Sequence, residues 1–308
     1  MHITALGRFL LELARLALKA RQWPDDRLFL RAVYRAYLKR EPDENGQEYY
    51  LTAMQRGSMN WRSVLGSIRQ SSEFMQIHRL PIHPLHALHQ TRMMLVRSCL
   101  PDATMVVDLG GAAVDHPEGA LLAMGYPHRP HKIYVVDLPP AQRLEGPKDA
   151  ETIQEHTTPD GVQIHYIYQS MADPLPIEDE SIDLVWSGES IEHITESEVD
   201  VVCQEIRRIL KPGGWFCLDT PNASLTRIQS PDALIHPEHK KEYYLHELVA
   251  KLEQHSFAVV ETRGMCPMPK SLQSGTYSHK ELTSNICLSD APEECYMFFI
   301  KAVKPRTG

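Results

Sequence analysis

The sequence predicts an α/β chain: a Rossmann-like, mostly parallel seven-stranded sheet with helices on both faces, preceded by a small all-α bundle. Three observations predict it. After residue 100, β-rich runs alternate with helical runs, the pattern of parallel strands joined by crossover helices. The first of these runs, VVDLGG at 106–111, ends in a glycine turn suited to a ligand at a strand's carboxyl end. Residues 1–78 hold no convincing strand, and their apolar residues recur at helical spacing.

At 308 residues the chain is long enough for one large domain and a smaller one. Hydrophobic residues make up 43% and charged residues 23%, ordinary for a globular protein. A formal net charge of -8 argues against a general nucleic-acid binder, because phosphate neutralisation needs a basic surface. The six cysteines (Cys99, Cys203, Cys217, Cys266, Cys287, Cys295) include no CxxC pair and read as reduced, packed thiols. No apolar run is long enough to cross a bilayer. The expected location is cytoplasmic, with peripheral attachment at the inner membrane face as the extension of that reading.

Residues 1–22 have a helical pattern interrupted by Arg8, Glu12, Arg15 and Lys19. Such a helix packs on its own domain or rests on a membrane surface or protein partner. Leu28, Val33, Tyr34 and Tyr37 predict the next helix, REPDENG breaks it, and QEYYLTAMQRG begins another. Asn60 is placed to cap a helix through NWRSVLGSIRQSSEFMQ. The block Phe29, Tyr34, Leu38, Arg40, Pro42, Asp43, Gly46, followed by Ser71, Glu73 and Phe74, resembles a small helical domain of unknown function found in bacterial surface and glycan-related proteins. That resemblance implies context and no chemistry. A linker or hinge helix is expected at 79–92, bounded by prolines. His78 just before it and His83, His86 and His89 within it lack a carboxylate or Cys at matching spacing for a metal.

From 93 onward the strand runs are TMVVDLGG, KIYVVDLPP, VQIHYIYQ, SIDLVWSG, GWFCLDTPN, FAVVETRG and CYMFFIKAV. Between them PEGALLAMGY, ESEVDVVCQEIRRILKPGG and EYYLHELVAKLEQHSF read as helices. The last two strands are expected to form an antiparallel edge hairpin, since no long helix separates them. The 29 residues from Cys266 to Glu294 have the Pro, Ser and Gly content of a lid or of a surface insertion.

Asp137 ends the second strand, where an acid can accept from both hydroxyls of a ribose. The first turn is not GxGxxG, and Glu118 stands near the next helix start, where a dinucleotide pyrophosphate needs bare amides. A ligand with ribose but no phosphate tolerates that acid. The ordered set VVDLGG, VVDLPP, MADPLPIEDESIDLVWS and RRILKPGGWF resembles the class I S-adenosylmethionine-dependent methyltransferases over about residues 85–305. Ala112 and Val114 depart from the family's glycines, and Met171 stands where an acid is usual, with Asp173 close by.

By that resemblance the cofactor is S-adenosylmethionine, leaving as S-adenosylhomocysteine. Gly110 and Gly111 would line its methionine portion, and Asp137 would bind the ribose. Leu138, Met171 and Ala172 would enclose the adenine, with Ser187 beside them. Asp108 would orient the loop, approach the cofactor's amino group, or do both. Lys211 of KPGG is given no chemistry.

An alcohol acceptor must lose a proton as it attacks, so a base is expected past the fourth and fifth strands. SGESIEHITESE supplies Glu189, Glu192 and His193. The long segment TPNASLTRIQSPDALIHPEHKKEYY supplies Asn222, Arg227, His236, Glu238, His239 and Lys240. Glu192, His193, His236 and His239 are the candidates for catalysis; Glu189, Asn222, Arg227, Glu238 and Lys240 are those for acceptor contacts. No metal is the first expectation, and Glu189, His193, His236 and His239 form the second-ranked ligand set. HPEHKKEY resembles a block of methyltransferases encoded with bacterial glycan genes, which implies O-methylation of a sugar hydroxyl on a polysaccharide or glycan precursor. A non-sugar small-molecule O-methyltransferase and an inactive assembly partner are the alternatives. The expected partner is a glycan or sugar, with self-association left open.

Overall fold

The computed structural model describes residues 25–55, 59–78, 83–113, 116–143 and 152–306. The expected membrane or partner helix at 1–22, residues 79–82 of the expected hinge, and Val114 lie outside the described residues. The chain divides into two compact units, residues 1–82 and 83–308. No described helix is long and apolar enough to cross a membrane.

In the first unit four helices are described: α1 (Asp26–Tyr37), α2 (Glu44–Gln55), α3 (Trp61–Gln70) and α4 (Ser72–Ile77). Asp25 caps α1 by accepting from the Leu28 amide at 2.7 Å, and Asn60 with Ser63 forms a capping box for α3. The predicted third helix is split at Ser71, whose backbone is extended and whose hydroxyl accepts from the Phe74 amide at 3.1 Å. Phe29, Tyr34, Tyr37, Leu38 and Phe74 are core residues. Arg40 grips Glu73 (2.6 and 2.8 Å) and Asp43 (2.7 Å), and Asp43 accepts from the Gly46 amide at 2.7 Å. A side chain at Gly46 would collide with the Tyr34 hydroxyl. The helical-domain block is thus a set of packing and turn residues.

The second unit is built on one sheet. Its strands are β1 (Met105–Leu109), β2 (Lys132–Asp137), β3 (Glu155–Thr157), β4 (Gln163–Tyr168), β5 (Ile182–Gly188), β6 (Leu210–Pro221), β7 (Ala258–Pro267), β8 (Leu288–Ser289) and β9 (Cys295–Val303). Their order is β3-β4-β2-β1-β5-β6-β9-β7-β8. The sheet is therefore nine-stranded and mixed, correcting the expected seven-stranded, mostly parallel one. The seven expected strands are contiguous, and the added β3 and β8 are edge strands of three and two residues. β4, β2, β1, β5 and β6 pair in parallel. β9 runs antiparallel between β6 and β7, so the last two strands pair as expected, but β9 is interior. From β1 the chain moves to β2 on one side and later returns to β5 on the other. The crevice at the carboxyl ends of β1 and β5 is the switch point where such sheets bind ligands.

The described part of the linker or hinge helix expected at 79–92 lies in a longer helix. His83 caps a continuous helix, α5 (Pro84–Cys99), which belongs to the second unit and buries Thr91, Arg92, Leu95 and Val96. The helix expected over PEGALLAMGY is only α6 (Ala120–Ala123), since Gly119 at φ 85 delays its start. α7 (Glu196–Ile209) opens on a capping box of Thr195 and Glu198 and buries Val199, Val202, Cys203 and Ile206 on its apolar stripe. KPGG, expected as a helix stop and turn, is a bulge within β6: Ile182 pairs with Leu210, and Leu184 then pairs with Trp215. The expected lid holds α10 (Pro269–Ser274) and α11 (His279–Ser284), tied together where Glu281 accepts from the amides of Lys270 and Ser271, both at 2.8 Å. Before them come α8 (Ala223–Gln229) and α9 (Leu245–Gln254).

Candidate functional site

Two groups of residues stand beyond the carboxyl ends of the parallel strands. The first is the glycine turn after β1. Gly110 has φ 73, and a side-chain carbon there would meet Ser190 Cβ at 2.8 Å. A carbon on Gly111 would fall inside the Asp108 carboxyl group. Both positions therefore need glycine, because protein atoms already occupy the space a side chain would take. Asp108 is buried beneath the turn and accepts from the Leu121 amide at 3.1 Å, which joins β1 to the start of α6. Burial pushes its carboxyl up to about 7. This caps an amide of the following helix.

Asp137 ends β2 and turns back to the same turn, its Oδ2 accepting from the Ala112 amide at 3.0 Å. Arg143 Nε lies 3.3 Å from its Oδ1. Burial raises the Asp137 pKa, and Arg143 opposes that rise. Sequence reasoning missed Arg143, which follows the PPAQ turn and carries no local signature. Leu138 is an exposed apolar side chain just past β2. Met171 and Ala172 are partly buried and pack against the main core. Ser187 is buried, its hydroxyl 2.6 Å from that of Ser190. These residues bring a glycine turn, a strand-end acid and apolar side chains to the same end of the sheet. The set suits an adenosine-bearing ligand without a phosphate chain.

The second group begins at the end of β5. Glu189 adopts a left-handed φ of 48, rare for a residue with a side chain. Asp219, at the end of β6 and fully buried, accepts from the Glu189 amide at 2.8 Å. Arg92 of α5 meets Asp219 through Nε at 2.7 Å and Nη2 at 3.1 Å, and its Nη1 donates to Glu189. The Glu189 carboxylate is therefore engaged by Arg92, which corrects its place in the second-ranked metal set. Sequence reasoning missed both Arg92 and Asp219. The LDTP acid at a strand end was the available signal, whereas Arg92 sits in a helix read as a hinge.

Three residues on, Glu192 and His193 form a short 3-10 turn. Glu192 is fully buried, with Oε2 accepting from Thr220 Oγ1 at 3.0 Å and Oε1 lacking a hydrogen-bond partner among the described residues. Burial holds its pKa well above the usual carboxylate range. The backbone carbonyl of Glu192 accepts from the Lys240 amide at 2.7 Å, which pins the HPEHKKEY segment to this turn. Ring centroids then lie 4.9 Å apart for His193 and His239, 6.0 Å for His193 and His236, and 5.4 Å for His236 and His239. Burial and then His239 lower the His193 pKa. His239 Nδ1 lies 2.9 Å from Glu242 Oε1, which also accepts from the Ile235 amide at 2.8 Å. Glu238 Oε2 is 3.9 Å from His193 Nδ1. The structure therefore assembles Glu192, His193, His236, Glu238 and His239, parts separated by 43 positions or more between the two segments.

Three expected acceptor contacts fare differently. Asn222 is fully buried: Oδ1 caps α8 at the Ser224 amide (3.0 Å), and Nδ2 donates to the carbonyls of Pro292, Glu293 and Cys295. Its expected acceptor contact is corrected to a structural tie. Arg227 is exposed over the Tyr244 ring at 5.8 Å, and the Lys240 side chain is exposed.

Residues 119–218 match a family described as a methyltransferase domain, and residues 17–77 match one described as a domain of unknown function (DUF4214). A Mycolicibacterium smegmatis protein named as a probable S-adenosylmethionine-dependent methyltransferase is 36% identical over 91 residues, covering 30% of this chain and 34% of that relative. The match thus spans about a third of the relative's length. Among solved structures, an S-adenosylmethionine-dependent methyltransferase of Thermotoga maritima is 16% identical, covers 75% of this chain and 92% of its own, and has a TM-score of 0.48. One from Mesorhizobium loti is 15% identical, covers 69% of this chain and 97% of its own, and has a TM-score of 0.43. None of these likenesses bears on the acceptor. Residues 119–218 of the second unit thus resemble methyltransferase domains, and the relative that matches part of the chain is named as a probable S-adenosylmethionine-dependent methyltransferase.

Proposed function

We propose that this chain is an O-methyltransferase acting on a sugar hydroxyl of a bacterial polysaccharide or glycan precursor. The observation that supports it most is the contact between the two residue groups. Gly110 leaves room for Ser190 and nothing more, so the glycine turn and the turn bearing His193 are packed together. Donor and acceptor sides are thereby neighbours at the same end of the sheet.

S-adenosylmethionine, when bound, supplies a sulfonium-activated methyl group. Gly110 and Gly111 would shape the turn that lines its methionine portion, and Asp137 would accept from its ribose hydroxyls. Leu138, Met171 and Ala172 would flank the adenine, while Ser187 and Asp108 would hold the surrounding turns. The acceptor hydroxyl lies at the His193–His236–His239 cluster, which receives its proton. Arg92 and Asp219 keep the Glu189 backbone in its left-handed form and so keep that cluster facing the donor.

The sugar reading is supported by the HPEHKKEY resemblance and by the helical domain's association with glycan-related proteins. All six cysteines are free, which fits a reducing, cytoplasmic setting. The test is transfer of labelled methyl from S-adenosylmethionine to a panel of nucleotide sugars, oligosaccharides and phenols, with products identified by mass spectrometry. Methyl ethers on sugars support the proposal. Transfer confined to phenols favours the small-molecule alternative, and cofactor binding without transfer to any acceptor class favours an assembly role.

A further inference from the structure

We infer that Glu192, His193 and His239 bind a divalent transition-metal ion. Among the described residues two groups bring ligand atoms within 4.8 Å of one another, Glu192 with His193 and His239, and His193 with His236 and Glu238. They share His193. The first group is favoured by two independent features of its residues.

Glu192 is fully buried, and Thr220 fixes its carboxylate through Oε2 at 3.0 Å, leaving Oε1 with no hydrogen-bond partner among the described residues. A buried carboxylate oxygen without a partner carries the full desolvation penalty of that atom. A cation at the cluster removes that penalty. His239 supplies the second feature. Its Nδ1 is held at 2.9 Å by Glu242 Oε1, and the carboxylate is itself fixed by the Ile235 amide. A carboxylate behind one imidazole nitrogen, leaving the other to face a metal, is the usual outer support of a metal-bound histidine.

Two imidazoles and one carboxylate are a donor set for zinc, manganese, cobalt or nickel, and three protein ligands leave positions open for water or an acceptor oxygen. No thiol stands in the cluster to select a softer ion. With the ion in place His193 is a ligand, and the proton-accepting role passes to His236 and Glu238. An acceptor offering adjacent hydroxyls, as sugars do, would meet an oxygen-seeking ion. The inference rests on the cluster's geometry and not on the sugar reading, so each can fail alone.

The test is titration of chelator-treated full-length protein with CoCl2, followed by visible absorption, with ZnCl2 competition and no acceptor present. The expected result is saturable 1:1 binding with ligand-field bands displaced by zinc, weakened by about 100-fold or more in His193→Ala and His239→Asn. Glu192→Gln should also weaken it, while His128→Ala, outside the cluster, should not. Circular dichroism establishes that each variant folds. Should His239→Asn fail to fold, His193→Ala and Glu192→Gln decide. Absence of saturable binding, or binding of equal strength in the folded cluster variants, overturns the inference and leaves His193 as the group that takes the proton.

Discussion

Replacing Arg92 by methionine keeps most of the side-chain volume in α5 and removes the guanidinium. Asp219 would then be a fully buried carboxylate with only the Glu189 amide as donor, because both of its Arg92 contacts, at 2.7 and 3.1 Å, are lost. Breaking a buried pair by removing one partner typically costs about 3–5 kcal/mol, chiefly the penalty of the charge left behind. For a unit spanning residues 83–308, each kcal/mol corresponds to roughly 2–4 °C in Tm, so a fall of about 6–20 °C is expected. Urea denaturation and thermal scans of wild type, Arg92→Met, Asp219→Asn and the double variant complete a double-mutant cycle. The double variant should recover much of the loss, since no buried charge remains. A cost below about 1 kcal/mol for Arg92→Met, or a double variant no better than the sum of the singles, would refute the reasoning.

Other consequences can be checked alongside. Gly111→Ala drives a methyl into the Asp108 carboxyl group, so a destabilisation of about 1–3 kcal/mol with weakened cofactor affinity is expected by denaturation and calorimetry. Gly66→Ala, in α3 with open space around it, should instead stabilise the first unit by about 0.5–1 kcal/mol. Asp108 titrates at about 7 in the folded state against 3.8 unfolded, so the folded state holds its proton more tightly. That contribution is complete below pH 3.8 and is lost as pH rises through about 7. Asp108→Asn should therefore gain about 3 kcal/mol on wild type between about pH 5 and pH 8, read by urea denaturation at both. Parallel pH profiles for the two proteins would contradict it.

Much of this architecture was legible. The seven interior strands announce themselves by apolar runs ending in glycine, proline or acid, and α7 by its capping box and stripe. β3 and β8 were not legible, because three and two residues carry no periodicity. The expected α6 was too long, since a glycine at φ 85 reads in sequence like any helical neighbour. Asn222 was misassigned because a cap and a ligand contact share the same residue type, and only burial separates them. Glu189 was placed in the metal set by proximity in sequence to His193. Its left-handed backbone and its bond to Arg92, 97 positions away, take the carboxylate elsewhere. The histidine cluster could be nominated from HPEHKKEY, but its convergence on His193 depends on the Lys240 amide bond to Glu192, a contact across 48 residues. Long-range ion pairs and backbone ties leave no local pattern, and they assemble the cluster of His193, His236 and His239.

The most direct test of the account is calorimetric titration of the full-length protein with S-adenosylmethionine, S-adenosylhomocysteine and NAD, repeated on Asp137→Ala. The account predicts micromolar binding of the first two, none of the third, and loss of affinity by at least about tenfold when the ribose acid is removed. Undetectable binding of S-adenosylmethionine, or equal affinity in the variant, would contradict a cofactor site at the ends of β1 and β2.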